Sequence, residues 1–240
     1  MKIISLFILL FGVTMASFDQ NDNLPFDVNR INPSFAIEKD ELYSANTLMD
    51  LNAHYKPSWV KSYIAVEIQV IHKGETIKVV GENATLTAEQ KEMIRMADDG
   101  HGIQVNIEYI PENTLKHKEP KFENFTLSVL PDQEAQFPGG KDELTKYLYQ
   151  SVVSTIKEGV FTGYDLAAVK FNIDETGQVQ NVQLFESSKD ESLDELLVAS
   201  IEQMPKWSPA VYSSGVKVAQ EFAFTVGNLE NCLVSVLNIR

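Results

Sequence analysis

Residues 204–210, with the sequence MPKWSPA, decide the fold of the C-terminal part of the chain. Pro205 lacks a backbone donor and ends any helix that reaches it, and Pro209 fixes a second backbone angle shortly afterwards. Trp207 lies between the two prolines, where its large apolar ring can pack against a neighbouring sheet. The stretch therefore predicts a rigid corner between a helix and a strand, with Trp207 as a core anchor that carries no chemistry.

A hairpin precedes this corner. Residues 166–173 and 178–185 alternate apolar with polar side chains and are rich in β-branched and aromatic types, which is typical of strands. The four residues between them, DETG, end in Gly177, where a hairpin turn needs positive φ. One face of the first strand is expected to be buried through Val169, Phe171 and Ile173.

Two helices are predicted around the hairpin. Residues 141–157 form the first, which Gly159 ends, and its apolar positions have helical spacing: Leu144, Tyr147, Leu148, Val152 and Ile156. The sequence SLDE at 192–195 is a capping-box signature that begins the second helix. Its apolar stripe continues to Met204, directly before the corner.

The segment after the corner is predicted to be the last strand. Apolar and polar side chains alternate over residues 216–226, so one face should be buried and the other wet. The apolar positions are Val216, Val218, Phe222, Phe224 and Val226.

Taken together, these motifs resemble the C-terminal domain of TonB proteins over residues 134–228. The resemblance rests on FPGG at 137–140, FNIDETGQV at 171–179, LD at 193–194, MPKWSPA at 204–210 and Gly215. It departs from the family before the first strand, where GYDL at 163–166 replaces a frequent Tyr-Pro pair. The matching structural positions are Phe137, Pro138, Gly139, Gly140, Gly177, Pro205, Trp207 and Pro209.

The resemblance implies an α+β fold, with an antiparallel sheet of three or four strands and two helices on one face. It also implies capture of a short peptide from an outer-membrane transporter, by pairing with the exposed last strand. An unpaired strand offers a row of backbone donors and acceptors that an extended peptide can fill. The residues that match this binding edge are Lys217, Val218, Ala219, Gln220, Glu221, Phe222, Ala223 and Phe224.

Residues 58–130 predict a separate, mostly β domain. Strands are expected at 64–71, 76–80, 103–109 and 125–130. The sequence TAEQ at 87–90 is a capping box that starts a short helix, and Met93, Ile94 and Ala97 face inward from it. The pattern of strand, helix, glycine and strand is similar to the β domains of GldM-type gliding and secretion proteins.

The two ends of the chain carry signals of their own. An uncharged apolar run at residues 3–16 is shorter than a membrane span and predicts a signal peptide cut after Ala16, with a retained anchor as the alternative. Residues 17–57 lack a clear period and are expected to be a leader or linker. Residues 229–240 are expected to fold back as an extra strand that covers the binding edge, with packing elsewhere or disorder as the alternative.

Composition argues against several function classes. The net charge of −14 disfavours nucleic acids and anionic membranes, because both require clustered Lys and Arg. The four histidines are scattered, DDGH at 98–101 is predicted to be a solvated turn, and we expect no metal, no cofactor and no enzymatic activity. Cys232, the single cysteine, is predicted to be a small buried side chain, with a free thiol or an intermolecular disulfide as alternatives.

The sequence therefore predicts a periplasmic protein of the Gram-negative envelope that engages a TonB-dependent outer-membrane transporter and meets membranes only through partners. It shows neither a membrane-length apolar helix nor a proline-rich spacer, so we do not expect this chain to transduce energy on its own. The alternative is a structural docking component of an envelope, secretion or gliding assembly.

Overall fold

A computed structural model of the chain describes residues 24–112, 119–162 and 165–227. The described part of the chain begins with β1 (Phe26–Ile31), which joins the sheet of the second part. The first part contains β2 (Ala36–Ile37), α1 (Lys39–Ser44), α2 (Leu48–Leu51), a 3₁₀ turn (Pro57–Trp59), β3 (Val60–His72), β4 (Glu75–Gly81), α3 (Ala88–Arg95), β5 (Ile103–Pro111) and β6 (Lys121–Val129). The second part contains α4 (Lys141–Ser151), a 3₁₀ turn (Val153–Thr155), β7 (Leu166–Ile173), β8 (Val179–Glu186), α5 (Glu191–Glu202), β9 (Ala210–Val211), β10 (Lys217–Val218) and β11 (Gln220–Gly227). The predicted α+β class is confirmed.

A five-stranded sheet in the order β2-β6-β5-β3-β4 forms the first part. Its β3–β4 hairpin turns at Lys73 (φ 53°) and Gly74 (φ 77°), the positive angles that a two-residue hairpin needs. Alternation along β3 buries Val66, Ile68 and Val70 on one face. All four strands expected within residues 58–130 are present: β3 and β4 are longer at both ends, β5 extends further at its C-terminal end, and β6 begins four residues earlier and ends one residue earlier than expected.

The capping box of α3 forms as expected. Thr87 Oγ1 accepts from Gln90 N at 3.1 Å, and Thr87 N donates to Gln90 Oε1 at 2.9 Å. Gln90 Nε2 also donates to Val66 O at 2.9 Å, which ties the helix to the centre of β3. Gly81 leaves the space for this buried amide, because a Cβ there would lie 2.9 Å from it. One side chain thus serves both the helix and the sheet.

Residues 24–57 are not the leader or linker expected from the sequence. β2 pairs parallel with β6, and α1 and α2 bury Leu42, Leu48 and Leu51 in the core of the five-stranded sheet. Thr47 and Asp50 form a capping box at the start of α2. β2, α1 and α2 are two to six residues long, too short for a period to be visible in the sequence.

A four-stranded antiparallel sheet in the order β1-β11-β7-β8 forms the second part. α4 and α5 share a single hydrophobic core with one face of this sheet, as the resemblance implies. The turn after β7 is closed by Asp174 Oδ1, which accepts from Thr176 N at 2.8 Å and from Gln178 N at 2.9 Å. Hydrogen bonds to the ionised carboxylate, of which the one from the Thr176 side chain has the largest effect, hold the pKa of Asp174 below its usual range.

The first helix is shorter than expected. α4 ends at Ser151, and a 3₁₀ turn follows in place of the helix predicted to residue 157. Two adjacent β-branched residues, Val152 and Val153, come directly after Ser151, and such side chains crowd a continuing helix. Gly159 therefore lies well beyond the helix that it was predicted to end.

The second helix begins slightly earlier than its motif suggests. Asp190, not Ser192, is the N-cap of α5, and its Oδ1 accepts from Leu193 N at 3.1 Å. The predicted pairing of Ser192 with Glu195 therefore does not define the helix start, and Asp194 accepts from Ser188 N at 2.7 Å. It therefore fixes the loop before the helix.

Polar contacts join the two sheets. Tyr212 OH donates to Val129 O at 2.6 Å, and Ser214 Oγ donates to Asp99 Oδ2 at 2.6 Å. Lys39 Nζ lies 3.3 Å from Asp99 Oδ1. The turn at 98–101, expected to be simply solvated, therefore takes part in the contact between the two parts of the fold.

Within residues 24–112, 119–162 and 165–227, no helix has the length and apolarity needed to cross a bilayer. The predicted signal peptide (1–16), the tail (229–240) and Cys232 lie outside the described residues.

Candidate functional site: the strand-pairing edge

The corner at Trp207 is the aromatic centre of the four-stranded sheet's core. The indole is 4% exposed, and the centroids of the nearest rings, Phe222, Phe137 and Phe171, lie 5.3, 5.5 and 6.2 Å away. The Trp207 Nε1–H is buried and has no hydrogen-bond partner among the described residues. Packing and not polar chemistry therefore defines the position of this side chain.

The backbone of the corner is fixed as tightly as its ring. Trp207 N donates to Gly177 O at 2.8 Å, and Gln136 and Ser208 exchange both backbone hydrogen bonds. Gly177 has φ 87°, and a Cβ there would lie 2.0 Å from Trp207 O. The hairpin turn and the corner thus lie in direct backbone contact. Pro205 follows the end of α5, and Pro209 directly precedes β9.

The entry motif FPGG at 137–140 leads the chain into α4. Phe137 is buried against Trp207, and Gly140 N donates to Phe137 O at 2.8 Å across Pro138 and Gly139. Gly139 and Gly140 have φ 84° and 83°, so two successive left-handed positions form this turn. The motif therefore orients α4 against the corner.

β11 is the strand to which the predicted binding edge maps. It pairs with β7 over its full length, from Gln220 opposite Ile173 to Gly227 opposite Leu166. The strand begins three residues later than predicted, because Lys217 and Val218 belong to β10 and pair with β9. Of the eight predicted edge residues, five lie in β11: Gln220, Glu221, Phe222, Ala223 and Phe224.

The second edge of β11 is not exposed, contrary to what the resemblance implied. β1 pairs antiparallel with it, from Phe26 opposite Val226 to Ile31 opposite Glu221. Gly227 N donates to Pro25 O at 3.0 Å and extends this ladder by one residue. A segment nearly two hundred residues away in sequence thus occupies the edge at which an external peptide was expected.

The core-facing side of β1 adds partly buried groups to the sheet. Phe26 and Val28 pack against the core, and the Phe26 ring meets Phe224 edge-on at 6.4 Å. Arg30, next on the same face, forms an ion pair with Glu134. Every residue of β1 is half-buried, with none fully buried. Sequence analysis missed these residues, although Phe26 and Val28 alternate with Asp27 and Asn29.

The outer edge of β1 is partly occupied by a side chain of the strand itself. Asp27 Oδ1 accepts from Val28 N at 2.9 Å, and Lys141 Nζ lies 3.5 Å from the same oxygen. Because Val28 N points away from β11, this contact removes a donor that a further strand would need. Addition of another strand outside β1 is therefore disfavoured.

One polar group of β1 lacks a partner. Asn29 Nδ2 is buried and makes no hydrogen bond within the part of the chain that the structure describes. Asn29 pairs with Ala223, on the sheet face opposite α4 and α5. A buried unpaired donor costs roughly 1–3 kcal/mol. β1 therefore fits β11 less well than its full backbone register suggests.

A cavity lies at the C-terminal end of β1, between the two sheets. Its volume is about 470 Å³, and its lining includes Ile31, Asn32 and Pro33 on one side and Tyr212 and Gln220 on the other. The residues that connect β1 to β2 therefore border open space over part of their length.

The opposite edge of the four-stranded sheet is β8. Asn181 has φ 53° there, and the register with β7 shifts beside it. Such an irregularity bends an edge strand and weakens it as a template for pairing. In the part of the chain that the structure describes, β11 is the straighter surface for an added strand, once β1 is absent.

These features define an α+β domain in which the aromatic corner, the hairpin and two helices surround a four-stranded sheet. Residues 166–226 match the family model described as Gram-negative bacterial TonB protein C-terminal. The match spans the hairpin, α5, the Trp207 corner and β11, and it confirms the resemblance for this segment. Domains of this family are non-enzymatic, mediate interactions with outer-membrane receptors and belong to envelope-associated proteins.

The search of curated proteins gave no match, and the search of solved structures gave none. The similarity of residues 58–130 to GldM-type β domains stays a prediction.

Proposed function

We propose that this chain is a periplasmic protein whose TonB-like domain binds an extended segment of an outer-membrane TonB-dependent transporter. The segment would pair with β11 at the edge now held by β1. The observation that supports this is the β1–β11 ladder itself, in which the edge accepts an extended strand over six consecutive residue pairs. An edge that accepts one strand through its backbone can accept another of suitable shape.

The binding would depend on the edge more than on individual polar side chains. Backbone donors and acceptors of β11 supply the affinity, whereas Phe222, Phe224 and Val226 offer an apolar surface to alternate side chains of the partner. Trp207 supports this surface from behind by packing on Phe222. The role that we assign to it is positioning.

A reversible lock between β1 and β11 tests the proposal. Pro25 and Gly227 form a hydrogen-bonded pair, so the alternation of the ladder makes Asn29 and Ala223 one as well. Cα atoms of such a pair lie about 5.5 Å apart, within disulfide range. Asn29→Cys with Ala223→Cys, in a Cys232→Ser background, should therefore cross-link the ladder.

The measurement is recovery of transporters from solubilised outer membranes. We expect the oxidised protein to recover at least about tenfold less than the same protein after reduction, because it cannot populate the competent state. The Cys232→Ser chain should behave alike in both conditions. Equal recovery by the oxidised and reduced proteins would show that binding uses another surface.

The proposed periplasmic location has a test of its own. Mass spectrometry of the protein isolated from the cell envelope should find Ser17 at its N-terminus.

A second candidate is a structural docking component of an envelope or secretion assembly. The observation that favours it is that β11 pairs with a strand on each side, β1 and β7, so that β11 has no unpaired edge in the described structure. In this case the lock would leave partner recovery unchanged, and the recovered proteins would be assembly subunits and not transporters.

A further inference from the structure

β1 shows which kind of strand this edge accepts. Its core-facing side chains are two apolar groups followed by a cation: Phe26, Val28 and Arg30. Their spacing of two places all three on one face of the sheet. The side chain of the Phe26 position meets Phe224, and the Arg30 position meets Glu134. A strand at this edge therefore needs an apolar side chain opposite Phe224 and a basic side chain near Glu134.

The same strand is a poor competitor for its own site. None of its residues is fully buried, and one of its side-chain donors, Asn29 Nδ2, is buried and unpaired within residues 24–112, 119–162 and 165–227. The connection to β2 borders the cavity between the sheets. An incoming strand that avoids the unpaired amide would gain affinity over β1 without any new contact.

We propose that β1 is a displaceable internal mimic of the ligand, and that the ligand is an extended segment with the pattern apolar-x-apolar-x-basic, antiparallel to β11. This inference deepens the proposed function and rests on it. The position between the second apolar residue and the basic residue, where β1 has Asn29, takes a small or apolar side chain. Binding removes β1 from the edge and the ligand takes over its contacts with Phe224 and Glu134.

The charge of the protein agrees with a basic position in the ligand. The chain carries 34 acidic against 20 basic residues, which attracts cationic segments over a distance. Glu134 is about half exposed and remains accessible as a partner. Glu221 is exposed opposite Ile31, at the same end of the edge. An acidic residue at the basic position would face the Glu134 carboxylate, with Glu221 adding negative charge on the other face of the sheet.

Fluorescently labelled peptides provide the test with the full-length chain. The first peptide carries residues 24–32, a second carries Asn29→Ala, and a third carries Arg30→Glu. A fourth exchanges Phe26 with Asp27 and Val28 with Asn29, which moves the apolar side chains to the other face. Phe26→Ala in the chain loosens β1, and Phe122→Ala is the matched control, because Phe122 is exposed and lies in the other sheet.

We expect the Phe26→Ala chain to bind the first peptide several-fold to roughly tenfold more tightly than the parent or the Phe122→Ala chain. The Asn29→Ala peptide should bind roughly tenfold more tightly than the first, because it buries no unpaired amide. The Arg30→Glu peptide should bind about threefold less tightly, and Glu134→Lys in the chain should reverse this preference.

Three results would overturn the inference. They are equal binding of the first and the face-exchanged peptides, no gain from Phe26→Ala while the circular dichroism spectrum stays native, and no reversal of the charge preference by Glu134→Lys. Transporter recovery is scored separately. Recovery that depends on the lock, together with equal binding of all peptides, would preserve the proposed function and reject the ligand pattern. If the peptides bind with the expected order of affinity but no transporter is recovered, the transporter is rejected as the partner and the apolar-x-apolar-x-basic pattern of the ligand is retained.

Discussion

The two sheets of this protein are completed in different ways. In the five-stranded sheet, the long strands β3, β4, β5 and β6 pair with one another, each with a strand near it in sequence, and the distant strand β2 adds a ladder of two residue pairs to β6. In the four-stranded sheet, the central strand β11 pairs with β7 on one side and with β1 on the other. Seven of the eight residues of β11 are buried, whereas none of those in β1 is.

This difference teaches that backbone register and side-chain burial are separate properties of a strand. β1 has a complete ladder with β11, yet apolar burial supplies most of the free energy that holds a strand in place. A strand with full register and partial burial can be specific and still exchangeable. Substitutions at matched positions of the two sheets, and of the two kinds of strand, should therefore differ in their effect on stability.

The largest contrast is expected between two phenylalanines in contact. Phe224→Ala removes a fully buried ring from β11 and should lower the free energy of unfolding by about 3–5 kcal/mol. Phe26→Ala removes its half-buried neighbour from β1 and should cost only about 1 kcal/mol. Urea denaturation measures both values. Equal losses would mean that β1 is as integral to the core as β11.

Two hairpin glycines compare the turns of the two sheets. Gly177→Ala places a Cβ 2.0 Å from Trp207 O at φ 87°, so the corner must move, and we expect a loss of about 3 kcal/mol. Gly74→Ala, at φ 77° with open space around it, should cost about 1 kcal/mol from backbone strain alone. The midpoints of thermal unfolding check the ranking. An equally small loss of stability in both variants would show that the backbone at Trp207 can move to make room for the added Cβ.

Two helix starts compare capping in the two cores. Gln90→Ala removes the hydrogen bond to Val66 O and the side-chain acceptor of Thr87 N, and it should cost about 2 kcal/mol. Asp190→Ala removes a cap at the start of α5 and should cost about 1 kcal/mol. Circular dichroism in urea gives the two values. A larger loss at Asp190 would contradict the idea that Gln90 links helix and sheet.

The smallest expected effect concerns a carboxyl group on β6. Burial raises the pKa of Glu123, so the folded protein favours its protonated form. The ionised group therefore lowers stability at neutral pH, and this loss disappears as the pH falls through the ordinary carboxyl range. Glu123→Gln should raise the urea midpoint slightly at about pH 7 and leave it unchanged at about pH 3. The reverse pH dependence would contradict this assignment.

Much of the fold could be predicted from the sequence because the interactions that specify it are local. Alternation predicted β3 to β8, and TAEQ predicted the start of α3 with its hydrogen bonds. The motif around Trp207 predicted the family that the match over residues 166–226 confirms. By contrast, the end of α4 and the N-cap of α5 were not predicted correctly. In each case several adjacent residues could end or cap the helix, and the sequence does not show which of them does so.

The candidate site was harder to predict for a different reason. The strand that carries the edge was identified, but its occupant was not, because β1 lies far from β11 in sequence. Periodicity shows that a segment can be a strand, and says nothing of its distant partner. The sequence alone does not show what Phe26, Val28 and Arg30 contact. Their roles follow from the folded structure, in which β1 lies beside Phe224 and Glu134.

The pairing of β1 with β11 also has a consequence for the order of folding. Joining them closes a loop that contains nearly all of the described chain, and the entropy cost of closure grows with loop length. The hairpins of the five-stranded sheet close short loops and should form first. Pulsed hydrogen exchange during refolding should therefore protect the amides of Asn29 and Ala223 last. Until that moment the edge of β11 is open, so a newly folding molecule would pass through its receptive state before it closes.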